Sequence, residues 1–346
     1  MPTMDPRIAV LGAGANGASI GADLTAAGLD VVLIEQWPAH VERIRAEGVR
    51  ILAPEGELHV RPRIHHLCEV AELKHDFDVV LMLMKAYDST WAAELIKPRL
   101  AEHGLLVGVQ NGMTARPIEA VVGADRTLGS VIECSATMTE PGIVHRHTGV
   151  PRSWFAVGAL PGGPVDRVEE VSALLRHSGT VQAFDDIEAA KWMKLVSNST
   201  LLVTSAILGL PMLDALGLPG FRDVMVAAGN ESLAVGAALG HPTLPIFGLT
   251  SDEIADPSRV VDIMTDKLFA GFVVPGATTT VLQDWVKGRH SEVDDLNGHV
   301  AAQGMSLGIP TPVNTAVTVL AHRIERGELH PDAAHLAELV RATDAG

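Results

Sequence analysis

The chain has 346 residues, 47% hydrophobic and 20% charged, which suits a sizeable core divided over two domains. A formal net charge of −16 argues against a nucleic-acid or anionic-membrane partner, since both need clustered Lys and Arg, but it leaves room for a small anionic substrate beside a local lysine. The two cysteines, Cys68 and Cys134, form no CxxC pair, so neither a disulfide framework nor a structural zinc site is expected.

The opening residues, "MPTMDPRIAVLGAG", run straight into a strand, with no charged segment followed by an apolar run. No signal peptide is therefore read there, and a cytoplasmic protein is expected. Residues 7–12, "RIAVLG", form a short apolar run suited to a buried parallel strand. "GAGANG" follows, with Gly12, Gly14 and Gly17 in G-x-G-x-x-G spacing, and then "ASIGADLTAAG" has helical character up to Gly28. A second strand, "DVVLIE", ends at Glu35.

Strand, glycine turn, helix, strand and acid make up the context of a dinucleotide-binding unit. The alternative is a glycine-rich turn in another α/β fold. In the first reading Gly12 allows the tight turn, Gly14 lets the backbone approach a pyrophosphate, and Gly17 lets the helix pack close to the sheet. Gly12, Gly14, Ala15, Asn16 and Gly17 are then the candidate cofactor loop. A carboxylate at Glu35 can bond the adenosine ribose hydroxyls and would repel a 2′-phosphate, which favours NAD(H) over NADP(H). Trp37 either covers the adenine face or anchors the loop.

Two further apolar runs follow: "DVVLMLMK" (78–85), ending in Lys85, and "GLLVGVQNG" (104–112), ending in Gln110-Asn111-Gly112. Open parallel sheets bind ligands at the carboxyl ends of their strands, so Lys85 and Asn111 are candidates for cofactor and substrate contact. For Lys85 the other reading is a loop-capping role. Residues 128–149 read as two strands joined around Glu140-Pro141-Gly142, followed by a strand "SWFAVGAL", a helix "VDRVEEVSALLRHSG" and a last short strand "TVQAFDD".

From about residue 187 the strand signals fade. Helices are read in "EAAKWMKLVSNSTLLVTSAILG", "FRDVMVAAGNESLAVGAALG", "VLQDWVKG", "EVDDLNGHVAAQGMSLG" and "VNTAVTVLAHRIERG". The fold class is an α/β Rossmann domain, residues 1–183, followed by an all-α domain, residues 184–346. Such a pair usually holds its substrate in the cleft between the two. No stretch of about 18 uncharged apolar residues occurs. The nearest, residues 196–220, is broken by Asn198, Pro211, Asp214 and Pro219. The 15 histidines are scattered, and neither His65-His66 nor His145 with His147 has a matching ligand set, so no metal is expected.

On the first long helix Lys191, Lys194 and Asn198 fall at i, i+3 and i+7, on one face. They form either a solvated stripe or part of a site with Lys194 as a catalytic acid. The apolar stretches "LLVTSAILGL" and "VMVAAGNESLAVGAALG" suit a dimer interface as well as a core; a homodimer is the expected assembly.

The chain resembles the ketopantoate reductase family over nearly its whole length. "AVLGAGANGASIG" is similar to the family's N-terminal fingerprint, and "MKAYD" (84–88) and "VQNG" (109–112) to its two strand-end loops. "KWMKLVSN" resembles its lysine helix, "TTVLQDWVKGRHSEVDDLNG" (279–298) its second-domain signature, and "LGIPTPVN" (307–314) its closing motif. The resemblance implies reduction of a 2-oxo acid by hydride from a reduced nicotinamide. By match Lys194 takes the place of the general acid and Asn198 that of a substrate hydrogen-bond donor. Glu292 takes that of the carboxylate orienting substrate and lysine beside the cofactor. Lys85 and Asn111 correspond to residues near the reacting carbonyl. Hydride attack builds charge on the carbonyl oxygen, so a waiting cation or N–H donor fits the chemistry independently. By pattern alone Glu292 reads as a surface acid beside Asp294 and Asp295.

Two positions depart from the family. Thr280 stands where the family binds the substrate carboxylate with a serine, and keeps the hydroxyl. Leu202 stands on the lysine-helix face where ketopantoate reducers carry an asparagine. It removes a donor and an acceptor, which points to a substrate tail that is bulkier or less polar than that of ketopantoate. Three readings result: a ketopantoate-type reductase serving pantothenate synthesis, an NAD-linked dehydrogenase of another 2-hydroxy acid, or a nicotinamide-binding sensor without catalysis. Retention of Lys194 and Glu292 argues against the sensor.

Overall fold

The computed structural model describes residues 6–271 and 273–344. The chain divides into two compact units, one up to Glu188 and one from Ala189.

The first unit is built on an eight-stranded sheet. Its strands are β1 (Ile8–Leu11), β2 (Val31–Glu35), β5 (Arg63–His66), β6 (Phe77–Met82), β7 (Leu100–Val109), β8 (Thr127–Glu133), β11 (Trp154–Ala159) and β12 (Thr180–Ala183), in spatial order β12-β11-β8-β7-β6-β1-β2-β5. Every neighbouring pair is parallel except β8 with β11. The central strands β1 and β2 are apolar and buried almost throughout because both faces are covered, whereas the edge strands β5 and β12 carry polar, partly exposed residues. Ile8 and Val10 of β1 belong to the core on one face, and Ala9 and Leu11 to the core on the other. From β1 the chain steps to β2 on one side and later returns to β6 on the other, so the topological switch lies between β1 and β6.

The helices α1 (Ala15–Ala26), α2 (Pro38–Glu47), α3 (Ser89–Ile96), α4 (Ala115–Val122) and α5 (Val168–Leu175) complete this unit. A second sheet, β4-β3-β10-β9, comprises β3 (Val49–Ala53), β4 (Gly56–Val60), β9 (Ala136–Glu140) and β10 (Ile143–Arg146). It packs on α1, which is thereby covered on two sides, and α1 accordingly buries Gly17 to Ala22 and Leu24. Sequence reading missed this sheet, although "VRILA" and "GELHV" flank a tight turn at Pro54-Glu55, with Gly56 opening the second strand at φ +135°. The stretch 128–149 holds three strands, not two: β8 joins the main sheet, and the chain turns at Cys134-Ser135 into the β9–β10 hairpin. The hairpin turns at Pro141-Gly142, as read, with Gly142 at φ +78°.

The second unit is helical. Its first helix, α6 (Ile187–Ile207), begins just before the division and stops ahead of Gly209, whose φ is +68°, and Pro211. It is followed by α7 (Met212–Leu216), α8 (Phe221–Ala238), α9 (Pro257–Gly271), α10 (Thr280–Val286), α11 (Asn297–Leu307), α12 (Pro312–Glu325) and α13 (Leu336–Thr343). Small residues let α6 and α8 approach closely. A Cβ on Gly229 would lie 2.5 Å from Thr200 Oγ1, and one on Gly236 would lie 2.1 Å from Trp192 Nε1. Between them Ser232 and Ser199 share a hydroxyl hydrogen bond of 2.7 Å, and Trp192 Nε1 donates to the Ser232 carbonyl at 3.0 Å.

The apolar stretches considered for a dimer interface thus supply core: Leu201, Val203, Ala206, Ile207 and Leu208 are buried, as are Val224, Met225, Ala228 and Val235. No helix among the described residues is long and apolar enough to cross a membrane.

Candidate active site

The glycine loop sits at the switch point. Gly12 follows β1 at φ +93°, and a Cβ there would lie 2.8 Å from the Met84 nitrogen and 2.9 Å from the Leu83 carbonyl carbon. Glycine is therefore needed for the turn and also for the close approach of the loop leaving β6. Gly17 is constrained by the loop as well as by the sheet. Its nearest neighbour would be the Gly12 carbonyl oxygen, 2.0 Å from a Cβ, with Val10 of the strand farther away at 3.3 Å. It lets the first turn of α1 sit directly on the glycine loop.

Gly14 has open space around a would-be Cβ and serves as the N-cap of α1 without any side-chain cap. The amides of that first turn are available to an anion, as at other dinucleotide sites. Asn16 Oδ1, in the same turn, is buried with no hydrogen-bond partner in the chain. An orphaned polar atom beside an open backbone cradle fits a bound dinucleotide.

Glu35, 6% exposed, ends β2 and accepts from the Gln36 and Trp37 amides through Oε1, both at 2.9 Å. The carboxylate is thus fixed at the carboxyl end of β2. Trp37 is anchored by stacking on His40, with centroids 5.9 Å apart and rings 18° from parallel. Arg43, the nearest following arginine, pairs with Glu47 at 2.8 Å.

His40 is a residue that sequence reading passed over. It is fully buried, and Nδ1 accepts from the Gly142 amide at 2.9 Å. Nε2 therefore carries the proton and donates to the Ala13 carbonyl at 3.1 Å. Burial drives its pKa from 6.5 down to about 4, against a smaller opposing effect of the Ala13 bond. One neutral imidazole thus ties the glycine loop to the β9–β10 hairpin. No local pattern marks it, because Gly142 is about a hundred residues away in the chain.

Lys85 and Asn111 stand, half-buried, at the carboxyl ends of the adjacent strands β6 and β7. The residue between the two loops is Gln110, whose Nε2 donates to the Met84 carbonyl at 2.8 Å and to Ser89 Oγ at 3.1 Å. It locks the loop carrying Lys85 to the strand carrying Asn111.

In the helical unit the polar stripe is not a solvated face. Lys191 and Asn198 are each 2% exposed. Burial pulls the Lys191 ammonium down to about 7. From Ala189 to Ile207 every residue of α6 is buried except Lys194 and Leu202. Lys194 Nζ lies 5.1 Å from the centroid of the Phe247 ring.

Thr280 opens α10, and its Oγ1 is buried without a hydrogen-bond partner. Glu292 follows the same helix and is 5% exposed, so it is not the surface acid that the local pattern suggests. Its neighbours differ: Asp294 is exposed and pairs with His322 at 2.8 Å, whereas Asp295 is partly buried. Burial, then the charges of Glu292 and Asp294, raise the Asp295 pKa from 3.8 to about 6.

Glu325 of α12 holds the turn that carries Glu292. Its Oε1 accepts from Trp285 Nε1 at 3.1 Å, the Ser291 amide at 2.9 Å and Ser291 Oγ at 2.5 Å, and its Oε2 lies 3.1 Å from His290 Nδ1. A buried amide network does the same for α6. Asn297 Nδ2 donates to the Ser199 carbonyl and to Asn314 Oδ1, both at 2.9 Å, and Asn314 Nδ2 donates to Glu231 at 2.7 Å. Among the described residues no group of three or more His, Cys, Asp and Glu side chains is arranged to hold a metal ion.

Family comparison matches both halves of the chain. Residues 8–162 match the ketopantoate reductase PanE/ApbA model, and residues 186–325 match its C-terminal model. The chain belongs to the ketopantoate reductase family. It is 28% identical to the 2-dehydropantoate 2-reductase of Mesorhizobium japonicum, over 93% of this chain and 99% of that protein. To the 2-dehydropantoate 2-reductase of Caulobacter vibrioides it is also 28% identical, over 90% and 97%.

Among solved structures, the ketopantoate reductase of Ralstonia eutropha JMP134 superposes with a TM-score of 0.79 at 27% identity, covering 94% of this chain and all of that one. D-mandelate dehydrogenase shares the fold with a TM-score of 0.82 at 22% identity, over 93% and 99%. As a ketopantoate reductase family member the chain is a nicotinamide-dependent oxidoreductase acting on CH–OH groups. The open Gly14 cradle and the orphaned Asn16 oxygen fit that cofactor.

Proposed function

We propose that this protein interconverts a 2-oxo acid and its 2-hydroxy acid, with Lys194 as the general acid in reduction and the general base in oxidation. The observation that carries the proposal is the opening in α6: along an otherwise buried helix, the chain leaves exposure at Lys194 and Leu202. A cation kept half-open on a buried helix can meet a substrate oxygen that gains charge.

When bound, the reduced nicotinamide supplies the hydride. Gly12, Gly14, Ala15, Asn16 and Gly17 would hold its diphosphate, Glu35 the ribose, and Lys85 and Asn111 the nicotinamide side. Lys194 gives its proton to the carbonyl oxygen. Asn198 donates a hydrogen bond to the substrate, and Glu292, beside the cofactor, orients lysine and substrate. Thr280 Oγ1, buried and unpartnered, suits the substrate carboxylate.

The finer reading is an NAD(H)-linked dehydrogenase of an acid with a bulky or apolar tail. Glu35 supports NAD(H), since its carboxylate is held at the carboxyl end of β2, where it would repel a 2′-phosphate, and Arg43 is engaged by Glu47. Leu202 supports the tail, since it places an apolar side chain at the helix's second opening. In this fold D-mandelate dehydrogenase holds NADH and anilino(oxo)acetate. The second reading is NADPH-linked reduction of 2-dehydropantoate, which the names of the curated relatives favour.

One assay separates the two readings. NADH and NADPH oxidation is followed with ketopantoate, 2-oxoisovalerate, phenylpyruvate and benzoylformate. NADH-linked reduction of an apolar-tailed acid is expected; efficient NADPH-linked ketopantoate reduction overturns the assignment of Glu35 and Leu202.

A further inference from the structure

Phe247 is a residue that none of the family motifs above includes, yet its ring is where the Lys194 ammonium rests, 5.1 Å from the centroid. Within about 6 Å an ammonium over an aromatic face is attracted by the ring's quadrupole. The residue is also unusual in its backbone. Phe247 is 8% exposed and, among the described residues, has the one positive φ outside glycine, +56°. An aromatic residue enters the left-handed region at a cost and stays there only when its surroundings hold it.

The surroundings do so here. Gly248 continues in the left-handed region at φ +77°, and the Leu249 amide closes back on the Ile246 carbonyl at 3.0 Å. Lys267 of α9 donates to the Gly248 carbonyl at 2.5 Å and is itself paired with Glu253 at 2.8 Å. A strained aromatic, next to a glycine whose carbonyl Lys267 holds, therefore lies against the half-open lysine.

We propose that Phe247 is a positioning and specificity-determining residue for Lys194: its ring fixes the ammonium for the substrate carbonyl and offers an apolar face to the group attached to that carbonyl. This rests on Lys194 being the general acid. A carbonyl oxygen hydrogen-bonded to Nζ at about 2.9 Å leaves its neighbouring substituent within reach of the ring. The ring offers a hydroxyl only a weak contact, so a hydroxylated tail loses its water with little compensation. The substrate class is therefore a 2-oxo acid with an aromatic or branched apolar group next to the ketone.

The test compares F247L, F247Y, F247G and K194A in full-length enzyme, with kcat and KM for benzoylformate, 2-oxoisovalerate and ketopantoate. F247L keeps an apolar side chain without the ring face and is expected to lower kcat about 2- to 30-fold. F247Y keeps the face and stays within about 2-fold of wild type. F247G suits the left-handed backbone, so the loop persists; kcat falls as in F247L, and KM for benzoylformate rises more than KM for 2-oxoisovalerate. Equal kcat in F247L and F247Y, or equal rises in KM for benzoylformate and 2-oxoisovalerate in F247G, overturns the proposal. Near-normal turnover in K194A removes the general-acid assignment instead, a result separate from any behaviour of the Phe247 variants.

Discussion

In the nucleotide unit the candidate site is made largely of backbone, and in the helical unit it is made of side chains. Gly12, Gly14 and Gly17 matter for what they lack: a Cβ on Gly12 or Gly17 would collide with neighbouring backbone, and the space at Gly14 is open. Lys194, Asn198 and Glu292 matter for what they carry, and each is set in a buried surround that other residues maintain. A site of backbone is specified by short-range spacing. A site of side chains needs supports such as Glu325, Asn297 and Phe247, drawn from elsewhere in the chain.

The largest expected effect tests the side-chain half alone. Lys194→Ala should cut turnover by ~10²–10⁴, as loss of a general acid does, with cofactor binding intact by fluorescence titration. A variant with near-normal turnover, or one that also loses the cofactor, breaks the division between the two halves.

Gly17→Ala is the reciprocal test. A Cβ 2.0 Å from the Gly12 carbonyl must push α1 off the loop, at about 3 kcal/mol in thermal unfolding, with cofactor affinity lost together with stability. Unchanged NADH binding in a folded Gly17→Ala enzyme would mean that the loop is not what holds the cofactor.

The two units also differ in the sign of their pH response. His40 binds its proton near 6.5 when unfolded and near 4 when folded, so the unfolded chain holds more protons between those values. Stability falls as pH drops through that window, by on the order of 3 kcal/mol. Asp295 is opposite: its folded pKa is raised from 3.8 to about 6, so its contribution is lost as pH rises through that range. Urea midpoints between pH 4 and 7 should show a shallower acid-side loss in His40→Gln and a steeper one in Asp295→Asn. The same slope in both variants would refute these assignments.

The smallest effect sharpens the role of the supports. Glu325→Gln keeps the shape but removes the charge that gathers Trp285, His290 and Ser291, costing about 1–2 kcal/mol. Its kcat should fall several-fold with KM for the cofactor unchanged, because the turn that carries Glu292 loosens. An unchanged kcat would detach Glu292 from this anchor.

What could be read in advance follows the same division. The glycine loop, Glu35, the strand ends at Lys85 and Asn111, and the long lysine helix were legible because each is a local pattern of period, spacing or punctuation. The second sheet was not. Its strands β3 and β10 pair although some 90 residues separate them, and the turn at Cys134-Ser135 that sends β9 away from β8 carries no Gly or Pro. Glu292 was misleading by pattern, since "HSEVDDL" looks solvated and only the packing around it buries one acid while exposing the next but one.

By itself, then, the sequence determined the class of fold, the glycine turn after the first strand and the lysine-bearing helix, because those depend on conformational freedom and periodicity within a few residues. Tertiary structure decided which polar side chains are buried and which remain open. Burial depends on what the rest of the chain brings alongside: Lys191 and Lys194 share a helix face and a residue type, yet one is enclosed and the other stands half-open against Phe247.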